Sequence, residues 1–108
     1  MDEVFDSVVR SAGDLAGVFE CDGETAYFYL YDVNASEGKK IKCAIHIFSS
    51  DEDISEKDIS VKWNALEDRV ALFICDDMWA MFDATKNLGY GGNYKKNGHS
   101  ALSERFDL

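Results

Sequence analysis

The sequence predicts an α+β fold, a mainly antiparallel β-meander of about six strands with short terminal helices. Two observations lead there. From Leu15 onward, hydrophobicity repeats with a period of two, in runs of β-branched and aromatic residues divided by polar turns. Before that, residues 3–12 place Val4, Phe5, Val8 and Val9 at i, i+1, i+4 and i+5, opposite Asp6, Ser7 and Arg10. A third bounds the answer: 108 residues with no proline, no low-complexity tract and no internal repeat form a single domain spanning 1–108. Its 46% hydrophobic and 13% aromatic content offsets chain entropy despite a formal charge of −10.

The first element is read as an amphipathic helix ending near Gly13, with Asp2 and Glu3 suiting the positive end of its dipole. Leu15 to Cys21 is the first strand, and Asp22-Gly23 predicts a type I′ hairpin turn. Thr25 to Val33 returns, and Asn34 to Lys39 is a polar loop containing Gly38. Lys40 to Phe48 alternates Ile41, Cys43, Ile45 and Ile47 against Lys40, Lys42 and His46, so one of its faces is wet. After the acidic loop Ser49 to Lys57, Ile59, Val61 and Trp63 alternate again, and Ala65 to Asp68 turns the chain.

Val70 to Cys75 and Met78 to Phe82 follow, around the pair Asp76-Asp77. Both runs are apolar on both faces and need cover on both. The N-terminal helix and a second helix from near Ser100, carrying Leu102 and Phe106, are expected to supply it, or else the sheet curls into a barrel.

Charge is uneven. Residues 1–38 hold nine acids against Arg10, and residues 51–58 add five against Lys57, whereas residues 84–99 carry Lys86, Lys95 and Lys96 and no acid. Such a field repels nucleic acid phosphates and favours a basic protein as partner. No run approaches the roughly 18 apolar residues of a membrane-spanning helix, and Met1-Asp2-Glu3 lacks the basic-then-apolar order of a signal peptide. The expected compartment is the cytoplasm, without membrane contact. Cys21, Cys43 and Cys75 are odd in number and sit in apolar runs, so they are expected to be free and buried.

No residue pattern implies a cofactor, a metal or a catalytic constellation. Cys43 and His46 lie three apart on one strand and point to opposite faces. Gly89-Tyr90-Gly91-Gly92-Asn93-Tyr94 lacks the strand and following Lys-Ser or Lys-Thr of a phosphate loop, and reads as a glycine-rich turn. The informative stretch is Tyr27, Tyr29 and Tyr31, which share one strand face beside the acidic turn of Glu20, Asp22 and Glu24. The candidate partner-binding residues are Glu24, Tyr27, Tyr29, Tyr31, Asp51 and Asp53.

Phe19-Glu20-Cys21-Asp22-Gly23-Glu24-Thr25-Ala26-Tyr27-Phe28-Tyr29 resembles a family of small bacterial proteins of unknown function with the pattern F-E-D-D-G-E-T-G-Y-F-Y. Ala44-Ile45-His46-Ile47-Phe48 is similar to that family's A-L-H-I-Y, Ala80-Met81-Phe82-Asp83 to its A-V-F-D, and Gly89-Tyr90 to its G-Y. Cys21 stands for Asp, Ala26 for Gly, and Gly91-Gly92-Asn93 departs after Gly-Tyr. The resemblance implies a bacterial cytoplasmic domain and draws attention to Glu20, Asp22, Glu24, Thr25 and His46, but carries no catalytic residue.

Two functions are therefore expected in order. The first is an acidic protein-binding module, in the manner of immunity or antitoxin proteins that neutralise a basic bacterial toxin. The second is a small-molecule binder or enzyme around Glu24, Tyr27, Tyr29 and His46, provided the curved sheet encloses a pocket. A flat acidic tyrosine face favours the former and a closed pocket the latter.

Overall fold

A computed structural model describes residues 3–49 and 54–92. Its architecture corrects the expected fold: the described residues hold eight strands, one short 3-10 turn and no α-helix. The strands are β1 (Val4–Val9), β2 (Leu15–Cys21), β3 (Thr25–Asp32), β4 (Ile41–Ser49), β5 (Ile59–Trp63), β6 (Arg69–Ile74), β7 (Asp77–Asp83) and β8 (Leu88–Gly91). They form two four-stranded sheets, β1-β2-β3-β4 and β5-β6-β7-β8, each an antiparallel meander. The sheets share one buried layer, so this is a β-sandwich rather than a single meander or a closed barrel.

The segment read as an N-terminal helix is β1, paired with β2 from Val4↔Cys21 to Val9↔Ala16. A spacing of four is even, so Val4 and Val8, or Phe5 and Val9, share a face in a strand as well as in a helix. Two facts then decide for the strand. Three of the four apolar residues are valines, which lose rotamer freedom in a helix, and a segment this short nucleates a helix poorly. β2 meanwhile offers an unpaired edge. The second expected helix, from near Ser100 with Leu102 and Phe106, lies outside the described residues.

Between the sheets, Phe19, Phe28, Leu30, Val70, Leu72 and Phe82 are completely buried. Phe28 and Phe82, one from each sheet, stack with ring centroids 5.0 Å apart. A buried Phe side chain stabilises by about 1.5–3 kcal/mol, so this pair is central to holding the layers together. Gly17 marks a point of close approach: a Cβ there would stand 2.4 Å from Val70 Cγ2 and 2.9 Å from Val61 Cγ1.

The sheet edges are pinned as well. The Trp63 indole N–H donates to the Val8 carbonyl at 2.8 Å, and the Cys43 thiol lies 3.2 Å from the Asn87 carbonyl. At one end, Arg10 Nη1 donates to the Glu67 carbonyl at 2.9 Å, while the Ser11 amide donates to the Glu67 carboxylate at 3.1 Å.

Turn chemistry shifts several expectations. In the first hairpin the central residues are Gly23 and Glu24, and Gly23 alone has positive φ, at 105°. Asp22 holds the turn from outside, its Oδ1 accepting from the Thr25 and Glu24 amides at 2.8 and 3.0 Å. Those backbone donors stabilise the charged carboxylate and lower its pKa. The β6–β7 turn uses Cys75 and Asp76, at φ 52° and 69°, instead of Asp76-Asp77. None of the three cysteines is in a disulfide, but Cys75 is consequently exposed and Cys43 half-buried, whereas Cys21 is buried as expected.

Gly89, Tyr90 and Gly91, the start of the segment read as a glycine-rich turn, lie instead in strand β8. Gly89 serves packing, since a Cβ would meet Ile45 Cδ1 and Phe82 Cε1 at 2.9 Å.

Candidate functional site

The antiparallel register of the first sheet places its outward side chains in three rows. Phe5, Glu20, Tyr27 and His46 make the first, Ser7, Val18, Tyr29 and Ala44 the second, and Val9, Ala16, Tyr31 and Ile41 the third. Ala16 and Val18 of β2 stand between Phe5 and Val9 of β1 and the tyrosines of β3. The surface is therefore furrowed. A groove of about 420 Å³ runs over Ala16 and Val18, walled by Phe5, Val9, Tyr29, Tyr31, Val33 and Ile41.

β4 contributes through an irregularity. Register shifts interrupt the β3–β4 ladder between Ala26 and Tyr27 and between Leu30 and Tyr31. The extra residue at Lys42 puts Ile41 opposite Tyr31 on the outer face, although the alternation of Ile41, Cys43, Ile45 and Ile47 predicts a single inner face. Cys43 and Ile45 remain packed on the core, and Ile41 is left 53% exposed at the groove.

The tyrosines form a continuous platform. Tyr27 and Tyr29 stack with centroids 5.9 Å apart and planes 12° from parallel, and the His46 ring meets Tyr27 edge-on at 5.4 Å. His46 Nε2 and Ser49 Oγ share a short hydrogen bond. At the opposite end, Lys40 Nζ sits 5.8 Å from the centre of Tyr31 and donates to the Val33 carbonyl at 2.9 Å. Burial pushes the Tyr29 hydroxyl pKa up, assisted by the negative charge of Glu20 and by Tyr27. The phenol therefore stays protonated and able to donate.

The rim at the first row is acidic. A second depression, of about 270 Å³, lies against Glu3, Val4, Phe5, Glu20, Cys21 and Asp22, so it shares Phe5 and Glu20 with the groove.

Among the expected partner-binding residues, Tyr27, Tyr29 and Tyr31 are brought together on this face, and Glu24 is exposed on the adjoining turn. Asp51 and Asp53 lie outside the described residues. Of the second grouping, Glu24 with Tyr27, Tyr29 and His46, Tyr29 lines this groove and the other three do not. Phe5, Val9 and Ile41 were not among the expected site residues. The alternation Phe5-Ser7-Val9 was the available signal, and the helical reading of β1 concealed it.

Cys43 faces the core and His46 the outside, as their spacing requires. Among the described residues no three potential ligand side chains cluster for a metal ion, and no helix is long and apolar enough to cross a membrane.

Fold and surface together define a small antiparallel β-sandwich with a furrowed, tyrosine-lined outer sheet. The chain belongs to a family described as uncharacterized proteins conserved in bacteria (DUF2251), whose model matches residues 2–104. No curated protein and no solved structure matches it.

Proposed function

We propose that the protein is an acidic protein-binding module whose contact surface is the outer face of β1–β4, and that its partner is a basic protein. The observation that carries this reading is the concentration of exposed large apolar side chains there: Phe5 is 60% exposed, Ile41 53%, Val9 50% and Tyr27 37%. A contiguous apolar patch with a polar rim is the usual anatomy of a protein interface. Tyrosines supply rigid contact area with a hydroxyl that finds a partner on binding. The net charge of −10 selects a basic partner and steers its approach. A bacterial immunity or antitoxin role, in which such a module masks a basic toxin, is one setting that these properties suit.

The small-molecule reading has one observation in its favour, a groove volume within the range of about 300–1,000 Å³ common for ligand pockets. Against it, the groove has walls from one sheet only, so a small ligand would keep much of its surface in water.

The test compares bacterial proteins captured by the native chain and by Val18→Asp and Tyr29→Ala, followed by binding measurements with the purified partner. A basic protein held by the native chain and lost by both folded variants supports the reading. Capture of a metabolite alone, or of a partner indifferent to both substitutions, would overturn it.

A further inference from the structure

We infer that the groove reads an arginine side chain on the partner; this rests on the protein-binding reading and specifies its chemistry. The groove is apolar along its floor, at Ala16 and Val18, and ends at Glu20, where it opens into the acidic depression of Glu3 and Asp22. A ligand that fits must be apolar along most of its length and cationic at the tip. Long basic side chains have that form, with a hydrocarbon stem that lies on apolar surface and a charged head that reaches a carboxylate.

The first row favours arginine over lysine. Phe5, Glu20 and Tyr27 are register neighbours on β1, β2 and β3, so the two rings flank the carboxylate. Two strand spacings separate the rings' backbones by about 9.5 Å, so a cation centred above Glu20 stands about one strand spacing from each of the two aromatic positions. A guanidinium is planar, weakly hydrated and matched to a carboxylate by paired N–H donors, and it stacks flat on aromatic rings, whereas an ammonium is a compact, strongly hydrated point charge. Among the described residues no basic side chain pairs with Glu20, since Arg10 is held by Asp14 at 2.7 Å and Arg69 lies 3.7 Å from Asp83.

Net charge argues against a second copy of the chain as occupant, since two chains of charge −10 repel.

The experiment titrates the full chain with an acetylated tetrapeptide of alternating valine and arginine, and with versions carrying lysine or the uncharged isostere citrulline. Side-chain NMR signals of Phe5, Glu20, Tyr27 and Tyr29 report the site. The arginine peptide should bind about tenfold more tightly than the citrulline peptide and several-fold more tightly than the lysine peptide. Glu20→Gln should remove most of the first difference, and Tyr27→Leu most of the second, with thermal stability of Glu20→Gln unchanged.

Equal binding of arginine and citrulline peptides, or an unaffected Glu20→Gln variant, would overturn the inference. So would concentration-dependent shifts of these signals without peptide, which would place a second copy on the groove. If the purified partner needs Val18 and Tyr29 but ignores Glu20, arginine reading fails while protein binding stands. If it ignores all three, both fail.

Discussion

The two outer sheet faces of this sandwich receive similar residues and treat them differently. On the second sheet, Ala71 and Met81 are buried, and Phe73, Met78 and Tyr90 close over them. Lys62 lays its stem toward Phe73, with Nζ 5.2 Å from the ring centre, and Arg69 reaches toward the Asp83 carboxylate. Long side chains thus lie across short ones.

On the first sheet Phe5, Val9 and Ile41 stand exposed at the outer strands, and Ala16 and Val18 are buried on β2 between β1 and the tyrosines of β3. Among the described residues no basic side chain lines the groove, and Lys40 sits at its Tyr31 end. The two outer faces therefore differ in the placement of large and small residues across the strands, and the furrowed one is the proposed contact surface.

The layer that both faces share should give the largest effect. Phe82→Ala removes a completely buried ring stacked on Phe28 and should cost about 3–5 kcal/mol in denaturant unfolding, with both outer faces lost together. An unfolding transition that splits into two would show that the sheets are independent and break the comparison.

Next comes the direct contrast between the faces. Met81→Ala, at a buried position on the second face, should cost about 2–5 kcal/mol, whereas Phe5→Ala on the first should change stability by less than about 0.5 kcal/mol. The order should reverse in partner binding, where Phe5→Ala is the damaging change. Equal stability losses would mean that Phe5 is covered within the chain.

Acid should act on the second face through Asp83. Asp83 is buried, and its Oδ1 accepts from Thr85 Oγ1 at 2.6 Å and from the Thr85 and Lys86 amides at 3.0 and 3.3 Å. The Thr85 hydroxyl bond leads in lowering its pKa, against the cost of burial and with help from those amides and from Arg69. A depressed carboxylate stabilises the fold fully above its unfolded value of about 3.9, and that contribution disappears as pH falls through the folded value. Asp83→Asn should therefore lower stability at pH 7 and flatten the loss below about pH 4, measured by urea unfolding. A wild-type acid limb preserved in the variant would assign the loss to other carboxylates; Asp14, held at about 2 chiefly by its hydrogen bond from the Arg10 guanidinium, is the next to test.

The smallest effect needs no change in stability. In native protein a thiol reagent should modify exposed Cys75 first, Cys43 more slowly, and Cys21 only on unfolding. Rapid modification of Cys21 would show that the first sheet opens locally beneath the groove.

Much of this fold was legible in the residues. The period-two runs place β2 to β7 within one or two residues of their observed bounds, and Asn34 to Lys39 and Ala65 to Asp68 fall in connecting loops. Tyr27, Tyr29 and Tyr31 share a face because side chains alternate along any strand. These are local properties, and a local pattern suffices to determine them.

The rest depended on contacts between distant segments. Val4 and Phe5 satisfy a helical and a strand period alike, and the open edge of β2 decided between them. Gly89 looks like a turn residue until Ile45 and Phe82 are seen to leave no room for a Cβ. Ile41 belongs to the core by alternation and to the groove through a bulge that only pairing with β3 creates. The apolar content by itself determined that there would be a core to bury. Which apolar residues were left outside it was decided by the tertiary structure, because burial depends on what the opposing sheet and neighbouring strands bring to each position.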